Sequence, residues 1–274
     1  MTTARPVAQA ARFVPGSGGH RFVMITEPAG GQAIGTVLWA HAFAEEMNKS
    51  RRMCARLARG LAQAGWRVLQ SDLAGCGDSA GEFRAARWAD WIADLRDEVR
   101  GADPDRPLWL WGVRAGALLL PALLETRPDA HLLLWQPAVS GAGVLQQFLR
   151  LHAGARIVGA EKATPADRTP AQRLSDGETV ELGGYELAPE LAAALKQAEF
   201  KLPPGAGGRI AWLEVAHTDN AEPSAAAQRL VSGWREAGRE VSLDLVHGPQ
   251  FWQTQEIEDC DALISSSLER VGGA

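Results

Sequence analysis

Few groups in this 274-residue sequence could staple the chain or hold a metal. There are three cysteines, Cys54, Cys76 and Cys260. They are widely spaced and odd in number, so they give neither a disulfide framework nor a paired-thiolate metal site. Unpaired thiols fit a reducing compartment, and the expected localisation is cytoplasmic. No His-Glu-x-x-His or comparable spacing occurs, so no metal is expected. No Gly-Lys-Ser/Thr follows a glycine-rich turn, which rules out a P-loop, and no cofactor is expected. No stretch reaches the roughly 20 apolar residues that span a bilayer. The segment 1–19 lacks the apolar core of a signal peptide or anchor. An excess of positive charge is also missing. Twenty-eight Lys and Arg stand against 33 Asp and Glu, giving a net charge of −5. That balance argues against nucleic acid as a partner and leaves a small-molecule ligand. Tyrosine is nearly absent, with one residue against ten tryptophans. Trp39, Trp109, Trp111, Trp135 and Trp212 fall in expected strands, where core packing is the simplest role.

What is present is alternation. Short apolar runs at 20–26, 35–40, 67–71, 108–111, 131–135, 209–215 and 241–246 read as strands. Amphipathic runs at 50–64, 88–100, 115–125, 225–237 and 257–271 read as helices. Ser50 and Ser224 sit where N-caps belong, and Gly65 and Gly238 where helices should stop. The pattern predicts an α/β fold with a mostly parallel, doubly wound sheet, in which ligands bind beyond the carboxyl ends of the strands. The expected organisation is a tail over 1–19 and one domain over 20–274. An inserted lid is expected at about 141–208, where the rhythm breaks. Within it, Gly183-Gly184 predicts a hairpin turn over 178–186.

The most informative motif is Gly112-Val113-Arg114-Ala115-Gly116, between an apolar strand and a helical run. Strand, Gly-x-Z-x-Gly, helix is the setting of the nucleophile elbow of α/β-hydrolases. The central residue should be a nucleophile. Arg114 is instead a permanent cation with no lone pair to offer.

Other strand ends add candidates. His41-Ala42-Phe43 follows the strand at 35–40, where the fold draws one oxyanion-hole amide. Phe43 N–H would pair with Ala115 N–H, and His41 would brace the loop. The turn Asp72-Leu-Ala-Gly-Cys-Gly-Asp-Ser79 is glycine-rich and compact, with Asp72 and Ser79 in structural roles. Chain order then places the acid at Asp219 and the base at His247, each just after a late strand. Ser140 and Cys76 are candidates for a displaced nucleophile.

Several blocks together resemble one family: His41-Ala-Phe-Ala-Glu-Glu-Met-Asn-Lys-Ser-Arg-Arg-Met53, Asp72-Leu-Ala-Gly-Cys-Gly-Asp-Ser79, Trp109-Leu-Trp-Gly-Val-Arg-Ala-Gly-Ala117 and Leu134-Trp-Gln-Pro137. They resemble the exosortase A system-associated hydrolase 2 family, over nearly the whole chain after the first residues. The resemblance implies a cytoplasmic α/β-hydrolase-fold protein of Gram-negative bacteria. It also implies a place beside exopolysaccharide production and the sorting of proteins with a Pro-Glu-Pro signal. Arginine at the elbow belongs to that family's pattern.

Two readings of Arg114 stay open. At a helix N-terminus a cation needs an anionic partner. Glu45, Glu46 or Asp219 could supply it internally and seal the site, or an anionic ligand could. Two functions follow. One is an atypical hydrolase of an ester- or acyl-type small molecule, using His247, Asp219 and water. The other is a non-catalytic pseudo-hydrolase that binds an anionic ligand or a protein partner.

Overall fold

The computed structural model describes residues 7–158, 168–218 and 220–273. In chain order its elements are β1 (Ala8–Gly16), β2 (Gly19–Glu27), β3 (Thr36–Ala40), α1 (Glu45–Gln63), β4 (Arg67–Ser71), α2 (Trp88–Gly101) and β5 (Leu108–Val113). A 3₁₀ segment (Arg114–Leu119) leads into α3 (Leu120–Leu124), then β6 (His131–Trp135) and α4 (Gly141–Val158). There follow α5 (Pro170–Ser175), β7 (Val180–Leu182), β8 (Tyr185–Leu187) and α6 (Pro189–Gln197). The chain closes with β9 (Ile210–Ala216), α7 (Ala225–Glu236), β10 (Val241–His247) and α8 (Asp261–Gly272).

Eight strands form one sheet in the order β1-β2-β4-β3-β5-β6-β9-β10. From β4 to β10 every pairing is parallel, while β1–β2 and β2–β4 are antiparallel. This is the α/β-hydrolase arrangement. Every residue of β3 and β5 is buried. Helices cover both faces of the sheet, so the central strands read as unbroken apolar runs. The five strand tryptophans are all fully buried, and Trp111 packs edge-on to Trp135 with ring centroids 4.8 Å apart. They are core residues.

Several expectations change at element ends. The helix expected at 115–125 is the 3₁₀ segment followed by the short α3, and α8 begins at Asp261 rather than at 257. Residues 8–16, expected within a tail, form edge strand β1 in register with β2 from Ala8↔Glu27 to Gly16↔Gly19. This strand is paired on one side and mostly exposed, so it carries no buried-face alternation to betray it. Helix α1 begins at Glu45, five residues before Ser50. Its N-cap position is Ala44, which makes no side-chain cap, and Glu45 and Glu46 complement the helix dipole instead. Ser50 lies one turn inside and donates to the Glu46 carbonyl at 2.6 Å. Ser224, by contrast, caps α7 by accepting from Ala227 N–H. The hairpin β7–β8 closes through Gly183 and Gly184, both at positive φ.

Beneath the β1–β2 turn lies a buried ionic cluster. Arg21 sits 3.5 Å from Asp94 and 3.3 Å from Glu98, and Ser71 Oγ donates to Glu98. Asp94 also accepts from Ser17 N–H at 2.8 Å. Burial pushes the Glu98 carboxyl up to about 6, against the pull of Arg21 and Ser71. A raised acid binds its proton more tightly when folded. Its contribution is therefore full below the unfolded value near 4.5 and is lost as pH rises through 6. We expect stability to fall by about 2 kcal/mol from this group across that window. Glu98→Gln should flatten the slope in urea titrations at pH 4.5 and 6.5, and an unchanged slope would contradict the assignment.

Candidate functional site

The site is built at the carboxyl ends of β3, β5 and β6. Three non-glycine residues have positive φ among the described residues, and they fall at these three ends: Ala44 (50°), Arg114 (53°) and Gln136 (39°). Left-handed backbone at such residues costs about 1–3 kcal/mol, and clusters of it mark functional sites. Arg114 is the tip of the turn between β5 and the 3₁₀ segment. The flanking glycines make the turn possible by close approach. A Cβ on Gly116 would enter the Ala40 and His41 carbonyl oxygens, and one on Gly112 would lie 2.7 Å from Ala117 Cα.

Arg114 is held from several sides. Its Nε lies 3.2 and 3.3 Å from the two Glu46 oxygens, and Nη2 donates to Glu46 Oε1 at 3.1 Å. Nη1 donates to the Gln136 carbonyl at 3.2 Å, and Nη2 also faces Gln147 Oε1 at 3.5 Å. The guanidinium carbon sits 5.3 Å from the centroid of the Trp252 ring. The two charged side chains are only 14% and 21% exposed. Of the three carboxylates expected as partners, Glu46 is the one seen on Arg114. Glu45 faces the Tyr185 hydroxyl at 3.4 Å. Asp219 lies outside the described residues.

In front of the guanidinium is a cavity of about 280 Å³. Its apolar wall is Phe43, Val144, Phe148, Leu151 and Trp252. Its charged lining is Glu45, Glu46, Lys49 and Arg114, two acids against two bases. Phe43 and Ala115, the expected amide pair, both border a space of about 10 Å³ next to it.

The remaining sequence candidates sort themselves by hydrogen bonding. His41 is buried and braces two loops. Its Nε2 accepts from Leu73 N–H at 3.2 Å, so Nδ1 carries the hydrogen and donates to the Ala42 carbonyl at 2.7 Å. Burial lowers its pKa, consistent with a neutral ring. Asp72 holds Arg51 at 3.0 Å and accepts from Asp78 N–H at 2.9 Å. Ser79 Oγ donates to the Asp72 carbonyl at 2.5 Å and accepts from Phe22 N–H. Both serve the turn. Ser140 is exposed and accepts from Gly143 N–H at the start of α4. Cys76 is buried, and burial pushes its thiol up to about 12, so it stays protonated and inert.

His247 ends β10 and is exposed. Its Nε2 lies 2.9 Å from the His217 carbonyl. A carbonyl only accepts, so this nitrogen carries the hydrogen. The lining of the Arg114 cavity includes Trp252 and Gln253 from the same loop but not His247.

Sequence reasoning missed Gln136, Gln147 and Trp252 as partners of Arg114. For Gln136 a signal existed: a polar residue ending an apolar strand, directly before Pro137. Besides receiving Arg114 on its carbonyl, Gln136 accepts from Val215 N–H through Oε1 at 2.8 Å and so ties β6 to β9.

Residues 31–181, more than half of the chain, match the family model Hydrolase_4, serine aminopeptidase, S33. The chain belongs to this family. Solved α/β-hydrolases overlay on nearly all of it. Est1E from Butyrivibrio proteoclasticus, bound to ferulic acid, is 15% identical at a TM-score of 0.64, over 95% of this chain and 98% of that one. A thermostable carboxyl esterase from Bacillus coagulans, in complex with glycerol, is 16% identical at 0.64, over 98% and 99%. A soluble variant of monoglyceride lipase from Saccharomyces cerevisiae, in complex with a substrate analogue, is 12% identical at 0.62, over 99% and 96%. At these identities the likeness is one of fold. No curated protein matches. Among the described residues of this family member, no helix is long and apolar enough to cross a membrane.

Proposed function

We infer that this α/β-hydrolase-family protein is a ligand-binding pseudo-hydrolase. It holds a small molecule with an apolar or acyl body in the cavity before Arg114, without covalent chemistry at the elbow. The observation that carries this is the fork of Arg114 on Glu46 at the position where the fold places its nucleophile. An arginine so placed cannot attack a carbonyl. Its charge is met by a carboxylate, so a ligand must either accept the neutral pair or displace Glu46. The aromatic wall supplies affinity for the body, and the insertion 141–208 serves as a lid through Val144, Gln147, Phe148 and Leu151 of α4. The resemblance of the 41–53, 72–79 and 109–117 blocks to exosortase A system-associated proteins supports a role beside exopolysaccharide production, in the cytoplasm.

The test is a fluorophosphonate probe. We expect no adduct at residue 114 and none at Ser79 or Ser140, whose hydroxyls are used in a turn and a helix start. Robust labelling of either serine would overturn the reading.

A second reading is hydrolysis by a water that His247 and Asp219 activate, with the Phe43 and Ala115 amides receiving the oxyanion. The common border of those two residues favours it. It requires His247 Nε2 to leave the His217 carbonyl. Turnover of p-nitrophenyl acyl esters that is abolished by His247→Ala would establish it. Absence of turnover in protein that still binds acyl ligands would support the binding role.

A further inference from the structure

Helix α4 separates two cavities. Val144, Gln147, Phe148 and Leu151 face the Arg114 site, whereas Leu145, Leu149 and Arg150 face the other way. Residues three and four apart share a helix face, so these two sets lie on opposite sides. The second cavity holds about 560 Å³, within the range of small-molecule sites and larger than the space before Arg114.

Its walls are the inserted helices themselves. Leu145 and Leu149 come from α4, Leu174 from α5 and Ala192 from α6. Helix α5 is fixed at its start by a reciprocal capping box between Thr169 and Gln172. Behind it, Arg173 pairs with Glu178 at 2.9 Å and Arg168 with Asp176 at 2.8 Å. The wall is therefore preformed.

The charge of this cavity differs from that of the first. Arg150 and Lys196 are among its lining residues, and among the described residues no Asp or Glu lines it. Neither cation makes an ion pair with a described residue. An apolar lining with two cations that pair with no described residue is complementary to one chemistry, an anionic head on an extended apolar tail. We propose that the insertion carries a second ligand site, distinct from the elbow, that takes a medium-chain acyl carboxylate.

Decanoate and decan-1-ol are suitable probes, measured by calorimetric titration on the full chain. Decanoate should bind saturably, and octanoate should bind more weakly by roughly fourfold for each methylene removed. Arg150→Gln combined with Lys196→Gln should weaken decanoate by about three- to tenfold, the scale of exposed charge contacts, and leave decan-1-ol unchanged. Ala193→Trp, an exposed lining position on α6, should exclude both probes without lowering the melting temperature. A diazirine-bearing decanoate should label peptides within 142–150, 170–175 and 189–196. No saturable binding would overturn the proposal. So would equal weakening of acid and alcohol, or labelling confined to peptides that carry Phe43 and Trp252. These readouts are independent of whether the elbow proves catalytic.

Discussion

Gly116→Ala is expected to destabilise the protein by at least about 3 kcal/mol, the upper end of overpacking costs. The added methyl would not meet a side chain that can swing away. It would meet the carbonyl oxygens of Ala40 and His41, which belong to β3 and the loop after it. Either the 3₁₀ segment or the central strand must then move, and both are wholly buried around that point. Gly143→Ala is the matched control. It lies on α4, where a methyl would approach only Ser140 at 3.9 Å. Removing a helical glycine there should be neutral or stabilising by about 0.5–1 kcal/mol. Urea denaturation of both variants measures the contrast. A loss below about 1 kcal/mol for Gly116→Ala would mean that the elbow does not require close approach.

The elbow was readable before any coordinates because its requirement is local. Two glycines at fixed spacing, after an apolar strand and before a helix, serve a single steric purpose. The central strands were readable for a related reason. Burial on both faces leaves β3, β5 and β6 no polar alternation. Strand β1 was not readable, because an edge strand exposed on both faces leaves no periodic signal. The start of α1 was misplaced because Ala44 fills the cap position by backbone geometry alone, at φ 50°, which no residue preference announces. The site was half legible. Arg114 at a helix N-terminus demanded an anion, and Glu46 was among three carboxylates that could supply it. The choice among them depends on how α1 rises from the end of β3, a three-dimensional fact. Gln147 and Trp252 are 33 and 138 positions from Arg114 by their numbers, and only the folding of α4 and of the loop after β10 brings them there. The cavity inside the insertion had no sequence signature, since Leu, Ala and Pro at helical spacing read equally as packing.

Arg114→Ala is expected to cost about 2–3 kcal/mol in folding stability, somewhat below the 3–5 kcal/mol of a fully buried pair. The reduction follows from exposure, because both side chains keep some access to water. The loss arises from leaving Glu46 in the pocket with its strongest donor gone. Glu46→Gln should cost less, since a neutral amide is cheaper to bury and can still accept from the guanidinium. The double variant should then be more stable than the sum of the singles predicts, by about 1–2 kcal/mol. Arg114→Gly adds an independent readout. Residue 114 sits at φ 53°, where glycine avoids a penalty of roughly 1–2 kcal/mol that alanine retains. Glycine should therefore be the milder of the two truncations. Ligand response completes the test. In the native protein Glu46 neutralises Arg114, so phosphate, sulfate and simple carboxylates should raise the melting temperature little. In Glu46→Gln the guanidinium keeps its charge without the carboxylate that forks onto it, and the same anions should stabilise clearly. Additive single-variant losses, with equal anion response in native and Glu46→Gln protein, would show that the fork neither braces the elbow nor controls what the pocket accepts.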